Sequence, residues 1–293
     1  MPETGGGIVQ KYRALCLRIE IAWLKLRNLC SRSAVATDGA GAVVSLTTYG
    51  KRAQDVYLAI ESIARGAMLP SRMILWLDDA ALFADPGPQL VRLSRRGLEI
   101  RFCKNYGPHK KYYPYVERHR EFSAPLVTAD DDAIYSRTWL AGLMDAHRRF
   151  PEHVNCYRAR VMLLRDGKIA PYRDWPLCES TEPGYKIVAT GVSGIIYPPA
   201  LLETLKRAGT GFESACPRAD DLWLHAHAIR SGFKIRQVQQ ESVHFPHIPG
   251  SQAASLWAEN CVLDDGNDKQ SSATYGASDV ELLGRSSAAV SVA

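Results

Sequence analysis

The sequence predicts an α/β protein, a mainly parallel sheet flanked by helices. Three observations carry this. From Ala42 onward, short apolar runs rich in β-branched residues alternate with stretches of helical spacing; polar residues gather directly after the apolar runs; and the composition is that of an ordinary globular chain, 293 residues of which 46% are hydrophobic and 23% charged. The expected organisation is an N-terminal amphipathic helix and linker over residues 1–41, an α/β domain over 42–270, and a weakly ordered tail rich in Ser, Ala and Gly over 271–293.

Ile8, Tyr12, Leu15, Ile19, Trp23, Leu26 and Cys30 recur every three or four residues, which puts them on one face of a helix. Lys11, Arg13, Arg18, Lys25 and Arg27 surround that stripe against the single acid Glu20. A basic amphipathic helix of this kind can lie in the interface of an anionic membrane. Docking on its own domain or a short coiled coil fits the same pattern. Ser31 to Gly41, small and polar, reads as a linker.

Val43–Thr47 is a strand by its β-branched content, and Val56–Ala64 a helix that stops before Leu69-Pro70. Met73–Leu77 is the second strand, running into Asp78-Asp79; Leu90–Arg96 is a helix ended by Gly97, and Leu98–Phe102 the third strand. Pro125–Ala129 is the fourth and ends at Asp130-Asp131-Asp132. Trp139–Arg149 is a helix, Gly191–Tyr197 a buried strand, Asp220–Ser231 a helix and Lys234–Val238 a strand.

A net charge of +5 without a Lys/Arg block gives no phosphate-tracking stripe, so no nucleic-acid partner is expected. The seven cysteines form no C-x-x-C pair and their number is odd, which suits reduced thiols in a cytoplasm. No run approaches the roughly 18–20 uncharged apolar residues of a spanning helix, and charges interrupt every apolar run between Ile8 and Leu29, which makes a poor signal peptide. The expected location is cytoplasmic, peripheral on the inner face of the cytoplasmic membrane if the N-terminal helix binds lipid.

In open α/β sheets ligands bind beyond the carboxyl ends of the strands. That rule selects Thr47, Thr48, Tyr49, Lys51 and Arg52 after the first strand, Asp78 and Asp79 after the second, and the three aspartates after the fourth. Three consecutive acids repel one another, and a bound cation is the natural compensation; oxygen ligands suit Mn2+ or Mg2+. Acids at alternate positions of an extended chain point the same way, so Asp130 and Asp132 can share a task while Asp131 faces elsewhere. A solvated turn ahead of a helix starting near Ser136 is the competing reading. Lys110 and Lys111 can balance a diphosphate or form an exposed basic turn. Asp220 and Asp221 open a helix, whose dipole keeps a carboxylate ionised, although simple N-capping would explain one of them. Trp175, Gly191 and Gly194 can shape an acceptor site, by stacking and by admitting close approach, or belong to the core. His225 and His227, two apart on a helix, read as structural.

The runs Val43–Arg52, Ile-Leu-Trp-Leu at 74–77, His-Lys-Lys-Tyr-Tyr-Pro at 109–114, Thr-Ala-Asp-Asp-Asp at 128–132 and Ala219–Leu224 together resemble bacterial family-2-type glycosyltransferases of surface-glycan synthesis with a GT-A fold, over about residues 42 to 270. The resemblance implies a divalent-metal enzyme moving a sugar from a nucleotide-sugar donor, a UDP-sugar first among them, to a glycan or lipid-linked acceptor, with inversion. It implies ribose, sugar or metal contact for Asp130, metal contact for Asp132 and His244, and donor contact for Asp131 and Asp79. Thr47, Thr48 and Tyr49 would line the nucleotide pocket, with Lys51 or Arg52 near phosphate. Asp221 would be the base, with Asp220 as runner-up. Sugar-phosphate nucleotidyl transfer on a similar fold, or sugar binding without catalysis, is the alternative. The absence of G-x-x-x-x-G-K-[ST] and of G-x-G-x-x-G after the first strand argues against P-loop and Rossmann dinucleotide chemistry.

Overall fold

The computed structural model describes residues 4–37, 41–251 and 266–286. It opens with α1 (Thr4–Cys30), which has apolar residues on two faces. The spacing-derived stripe stays on the solvent side: Tyr12, Leu15, Ile19, Trp23 and Leu26 are 68%, 55%, 61%, 46% and 57% exposed. Docking uses the opposite face, where Leu24 and Asn28 are fully buried and Leu17 and Ile21 pack at the edge of the core. That face lies on α2 (Val56–Ala64) and α4 (Gly87–Ser94). Glu61, buried in the middle of α2, ties the contact together. It accepts from Arg27 Nε at 3.1 Å, Asn28 Nδ2 at 3.1 Å, and Arg96 Nη1 and Nη2 at 2.5 and 3.1 Å. The expected linker is pinned as well: Val35 is buried and its N–H donates to Arg96 O.

The strands β1 (Val43–Thr47), β2 (Arg72–Leu77), β3 (Leu98–Phe102) and β4 (Leu126–Thr128) pair in parallel in the order β4-β1-β2-β3. Beyond β4 lie β10 (Ile195–Tyr197), antiparallel to both its neighbours, then β5 (His153–Cys156) and β11 (Lys234–Gln237), completing a seven-stranded sheet. Alternate residues feed two cores. Val44, Leu46, Met73, Leu75, Leu77 and Val127 join one, while Val43, Ile74, Trp76 and Leu126 join the other. Burial on both faces explains why these strands read as continuous apolar runs.

The predicted strand over 191–197 is shorter. Gly191–Ser193 is a 3-10 turn and extended pairing starts only at Ile195, because Gly194 takes φ 96° against the Trp139 indole. A side ribbon joins β6 (Ala159–Val161) to β9 (Ile187–Ala189). α7 (Pro199–Ala208) was not expected, although Pro199 at its start and Gly209 beyond its end are ordinary helix punctuation.

The expected weakly ordered tail is corrected. α9 (Asp220–Arg230) carries α10 (Gly266–Thr274) and α11 (Ala277–Arg285) against it. Leu283 and Tyr275 are buried in the core, and polar contacts that leave no apolar pattern add to them: Arg230 grips Asp279 at 2.7 and 3.0 Å, and His225 Nδ1 lies 2.7 Å from Tyr275 Oη. The remainder of the predicted tail, 287–293, and Cys261 fall outside the described residues.

Candidate active site

An open cleft of about 550 Å³ runs along the carboxyl ends of β1, β2 and β4 and reaches the start of α9. Its volume suits a small organic ligand. β4 delivers the three aspartates to its floor, and each takes a different partner. The Asp130 N–H donates to Tyr135 Oη at 2.7 Å, and its carboxylate pairs with Lys111 Nζ at 2.5 Å. Asp131, buried, accepts from Thr48 Oγ1 at 2.6 Å and from Arg52 Nη1 at 3.2 Å. Asp132 lies 3.3 Å from Arg52 and 3.7 Å from His247 Nδ1. Burial pushes the Asp131 carboxyl up to about 6, with Thr48 and Arg52 opposing. Burial also acts upward on Asp132, but the His247 hydrogen bond and the Arg52 charge outweigh it and hold that carboxyl below its usual range.

His247, not His244, is therefore the histidine seated against Asp132. The reason is backbone pairing: Ala133 bridges His247 in antiparallel fashion, Ile134 N donates to Pro246 O and Ile248 N to Asp132 O. His244 is exposed on the cleft rim. Partial loss of water around its ring, and then the Arg158 charge, lower its affinity for a proton.

The loop after β1 divides its residues. Tyr49 projects a 39% exposed ring into the cleft, with the Arg52 guanidinium 5.5 Å from its centroid. Thr47 borders the cleft but its hydroxyl donates to Trp76 O at 2.9 Å, and Thr48 serves Asp131. Lys51 is exposed and does not line the cleft. After β2, Asp78 rather than Asp79 faces the cleft: Asp78 pairs with Lys110 at 2.6 Å, whereas the Asp79 carboxylate caps α3 (Ala80–Ala84) by accepting from the N–H groups of Ala81 and Leu82.

Lys110 and Lys111 both enter the cleft, from a 3-10 turn over Gly107–Lys111. Buried His109 fixes that turn by bonding Cys216 O at 2.7 Å and stacking on Phe212 at 4.0 Å. The turn is thereby locked to the segment that leads into α9. Burial works against the Lys111 charge, but Asp130, Asp220 and Asp221 raise its proton affinity well above normal. Lys111 thus pairs with Asp130 and feels the charges of Asp220 and Asp221.

At the start of α9 Asp220 and Asp221 line the cleft. The Asp221 carboxylate accepts the Gly191 N–H at 3.0 and 3.2 Å. Burial, and then the charge of Asp220, push it up to about 8. Gly191 lines the cleft as expected, and a methyl group there would meet Asp221 Oδ1 at 3.3 Å. Gly194 is different: a Cβ would strike the Trp139 indole at 2.6 Å, so this glycine serves packing and not an acceptor. Trp175 is likewise corrected. It is 1% exposed, with Nε1 donating to Ala170 O at 2.8 Å, and its neighbour Tyr172 lines the cleft instead. Arg158, Arg160 and Thr190 also line the cleft and were not anticipated, since the short ribbon carrying them has no periodicity to read.

Among the described residues no three His, Cys, Asp or Glu side chains converge as a ready metal cage. The Asp132–His247 pair remains suitable for a cation that takes its other ligands from substrate phosphates and water, the usual arrangement for Mg2+.

No protein-family model and no curated protein sequence matches the chain. Among solved structures, S. aureus TarS 1-349 shares 18% identity and a TM-score of 0.43 over 70% of this chain and 59% of that one. The same protein in complex with UDP gives 17% and 0.42 over 69% and 59%. GalNAc-T7 with UDP, GalNAc and Mn2+ gives 11% and 0.49 over 73% and 45%. The matched part is thus 45–59% of the length of those chains.

Proposed function

We propose that the chain is a GT-A-type glycosyltransferase that moves a sugar from a nucleoside diphosphate sugar, a UDP-sugar by preference, to an acceptor hydroxyl with inversion. One observation carries the reading: two acidic groups, Asp130–Asp132 and Asp220–Asp221, face one cleft from separate elements with Lys111 between them. One group suits the donor and its counter-charges, the other the proton of the attacking hydroxyl.

In this reading the exposed Tyr49 ring takes the nucleobase face, Asp130 the ribose or donor sugar, and Arg52, Lys110 and Lys111 the diphosphate. Asp132 and His247 would hold Mn2+ or Mg2+, which would supply charge neutralisation at the departing diphosphate. Asp221 is the base. The acceptor oxygen bonds to the anomeric carbon as the bond to phosphate breaks, its proton passes to the Asp221 carboxylate, and the nucleoside diphosphate leaves with the electron pair. A carboxyl held near pH 8 by burial is suited to take that proton and later release it. Incubating the protein with a panel of nucleotide sugars, with and without Mn2+ and acceptors, and scoring released nucleoside diphosphate tests this. Release of pyrophosphate would instead indicate nucleotidyl transfer, and no binding of any nucleotide sugar would sink the reading.

The same proposal places the enzyme on the inner face of the cytoplasmic membrane. Val9, Tyr12, Leu15, Ile19, Trp23, Leu26 and Leu29 are exposed on α1. At 100° per residue they form one band, with exposed Lys11, Arg18 and Lys25 along one border and Arg13 along the other. The one acid of the helix, Glu20, is ion-paired to Arg65. An apolar band bordered by cations alone complements an anionic lipid surface. No described helix is long and apolar enough to cross a membrane.

A further inference from the structure

We propose that Arg158 and Arg160 form a subsite for an anionic group, a phosphate or a carboxylate, carried by the acceptor close to the hydroxyl that receives the sugar; this rests on the glycosyltransferase reading. The acceptor class is then an acidic glycan or a phosphate-bearing polymer and not a neutral sugar.

Two groups of cations in the cleft contrast with each other. Along the strand ends Arg52 faces Asp131 and Asp132, Lys110 faces Asp78, and Lys111 faces Asp130. Among the described residues Arg158 and Arg160 form no ion pair with a carboxylate, although the Asp221 charge acts on Arg158 from farther off. Arg158 Nη1 donates to the neutral Thr190 Oγ1 at 2.7 Å, and its Nε is buried without a partner. Arg160 Nη1 donates to the backbone oxygen of Trp175, and its guanidinium sits 5.4 Å from the Tyr172 ring centroid. Both line the cleft.

Arg158 directly precedes β6 and Arg160 lies within it, two residues apart, and both reach the cleft. They therefore repel. Burial, and next the Arg160 charge, lower the proton affinity of the Arg158 guanidinium. Two like charges that are partly withdrawn from water are costly unless an anion compensates them. A bidentate phosphate or carboxylate on the cleft side of the two guanidiniums would cancel the repulsion.

Position points to the acceptor. The ribbon that carries Arg158 ends in Thr190 and Gly191, and Gly191 N–H holds the Asp221 carboxylate. Arg158 therefore lies near the proposed base, whose charge acts on its guanidinium, and Arg160 lines the same cleft. An anion bound there would lie on the same side of the cleft as the hydroxyl that Asp221 serves.

The test uses Arg158→Gln, Arg160→Gln and the double variant in the full chain, with thermal melts to show that each folds. Three readouts are compared: UDP-sugar hydrolysis without acceptor, transfer to methyl glycosides, and transfer to the same glycosides as 6-phosphates or uronic acids. The expected result is that the wild type has a KM at least tenfold lower for the anionic acceptors. The double variant should erase that advantage while donor hydrolysis and neutral-acceptor KM stay within about twofold. Calorimetric titration with the methyl glycoside 6-phosphate reads the subsite even if no donor turns over, which separates its failure from failure of the transferase reading. If the variants instead raise the donor KM and leave the acceptors alike, the arginines hold the donor diphosphate and the proposal is wrong. If wild type and variants bind phosphorylated and neutral glycosides equally, no anion subsite exists.

Discussion

The backbone N–H of Gly191 donates to both carboxylate oxygens of Asp221, at 3.0 and 3.2 Å, and thereby fixes the carboxylate between the ribbon and the start of α9. Burial and Asp220 push that carboxyl up to about 8. In the proposed role of base Asp221 must first lose its proton, so kcat/KM should rise with pH through a midpoint near 8 and fall on the acid side. Asp221→Asn should lower kcat by about 10²–10⁴-fold, the usual worth of a general base, and abolish the pH step. The stability sign runs the other way. A carboxyl raised on folding keeps a proton that the unfolded chain has lost, so its contribution is present below the usual carboxylate range and is lost as pH rises towards 8. Asp221→Asn should therefore raise the melting temperature more at pH 8 than at pH 4. A melt difference of the opposite sign would show that Asp221 is ionised throughout.

Asp132 bonds Arg52 and His247 at once, and Arg52 also serves Asp131. If a divalent cation enters with the donor, the aspartate must exchange Arg52 for the metal. Asp132→Ala and His247→Ala should each cut kcat/KM by at least about 100-fold, in line with loss of a ligand or an electrostatic stabiliser. His244→Ala should cost little, because that side chain stands on the rim. Chelation by EDTA should stop turnover and Mn2+ restore it. Full activity in EDTA would remove the metal from the mechanism and leave Arg52 and Lys111 to stabilise the leaving group.

The parallel strands and the cleft edge could be read from sequence because burial on both faces leaves unbroken apolar runs, and each run ends in the polar residues it delivers. The position of Asp130–Asp132 followed from that, whereas Asp220–Asp221 stood out as an acidic pair opening a helix and by resemblance. Choices within a pair did not. Asp78 against Asp79 turns on which acid caps α3, and His244 against His247 on a single antiparallel bridge from Ala133, neither of which leaves a periodic trace. Arg158 and Arg160 sit on a ribbon of three-residue strands, too short to show alternation. Trp175 illustrates the converse: an aromatic amid Pro and Tyr suggested a sugar platform, yet its indole N–H is satisfied inside the core.

Glu61 is 0% exposed and is shared by Arg27, Arg96 and Asn28. Removing one member of a buried ionic cluster leaves the others without compensation, so Glu61→Ala should destabilise the fold by about 3–5 kcal/mol. Glu61→Gln keeps an acceptor and should cost less. Urea unfolding followed by far-UV circular dichroism measures both. Because α1 reaches the domain through this cluster, the loss should be accompanied by faster proteolysis within residues 4–30. A change under about 1 kcal/mol in Glu61→Ala would mean that α1 docks through Leu24 and its apolar neighbours alone.

The two faces of α1 allow membrane binding to be separated from folding. Deleting the helix would remove Leu24 and Asn28 from the interior and confound the test, whereas Ile19, Trp23 and Leu26 are 61%, 46% and 57% exposed and can be changed without opening the core. Ile19→Ser with Leu26→Ser should leave the melting temperature within a few degrees and abolish co-flotation with vesicles containing phosphatidylglycerol. Replacing Lys11, Arg18 and Lys25 by Gln should weaken binding by about 1 kcal/mol per charge at low salt, with the deficit shrinking as salt screens the interaction. Vesicles of phosphatidylcholine alone should recover little protein in any case. If the serine variants float as well as the wild type, or if light scattering shows that the wild type is a dimer which these substitutions split, the band on α1 is a protein contact and the lipid assignment fails.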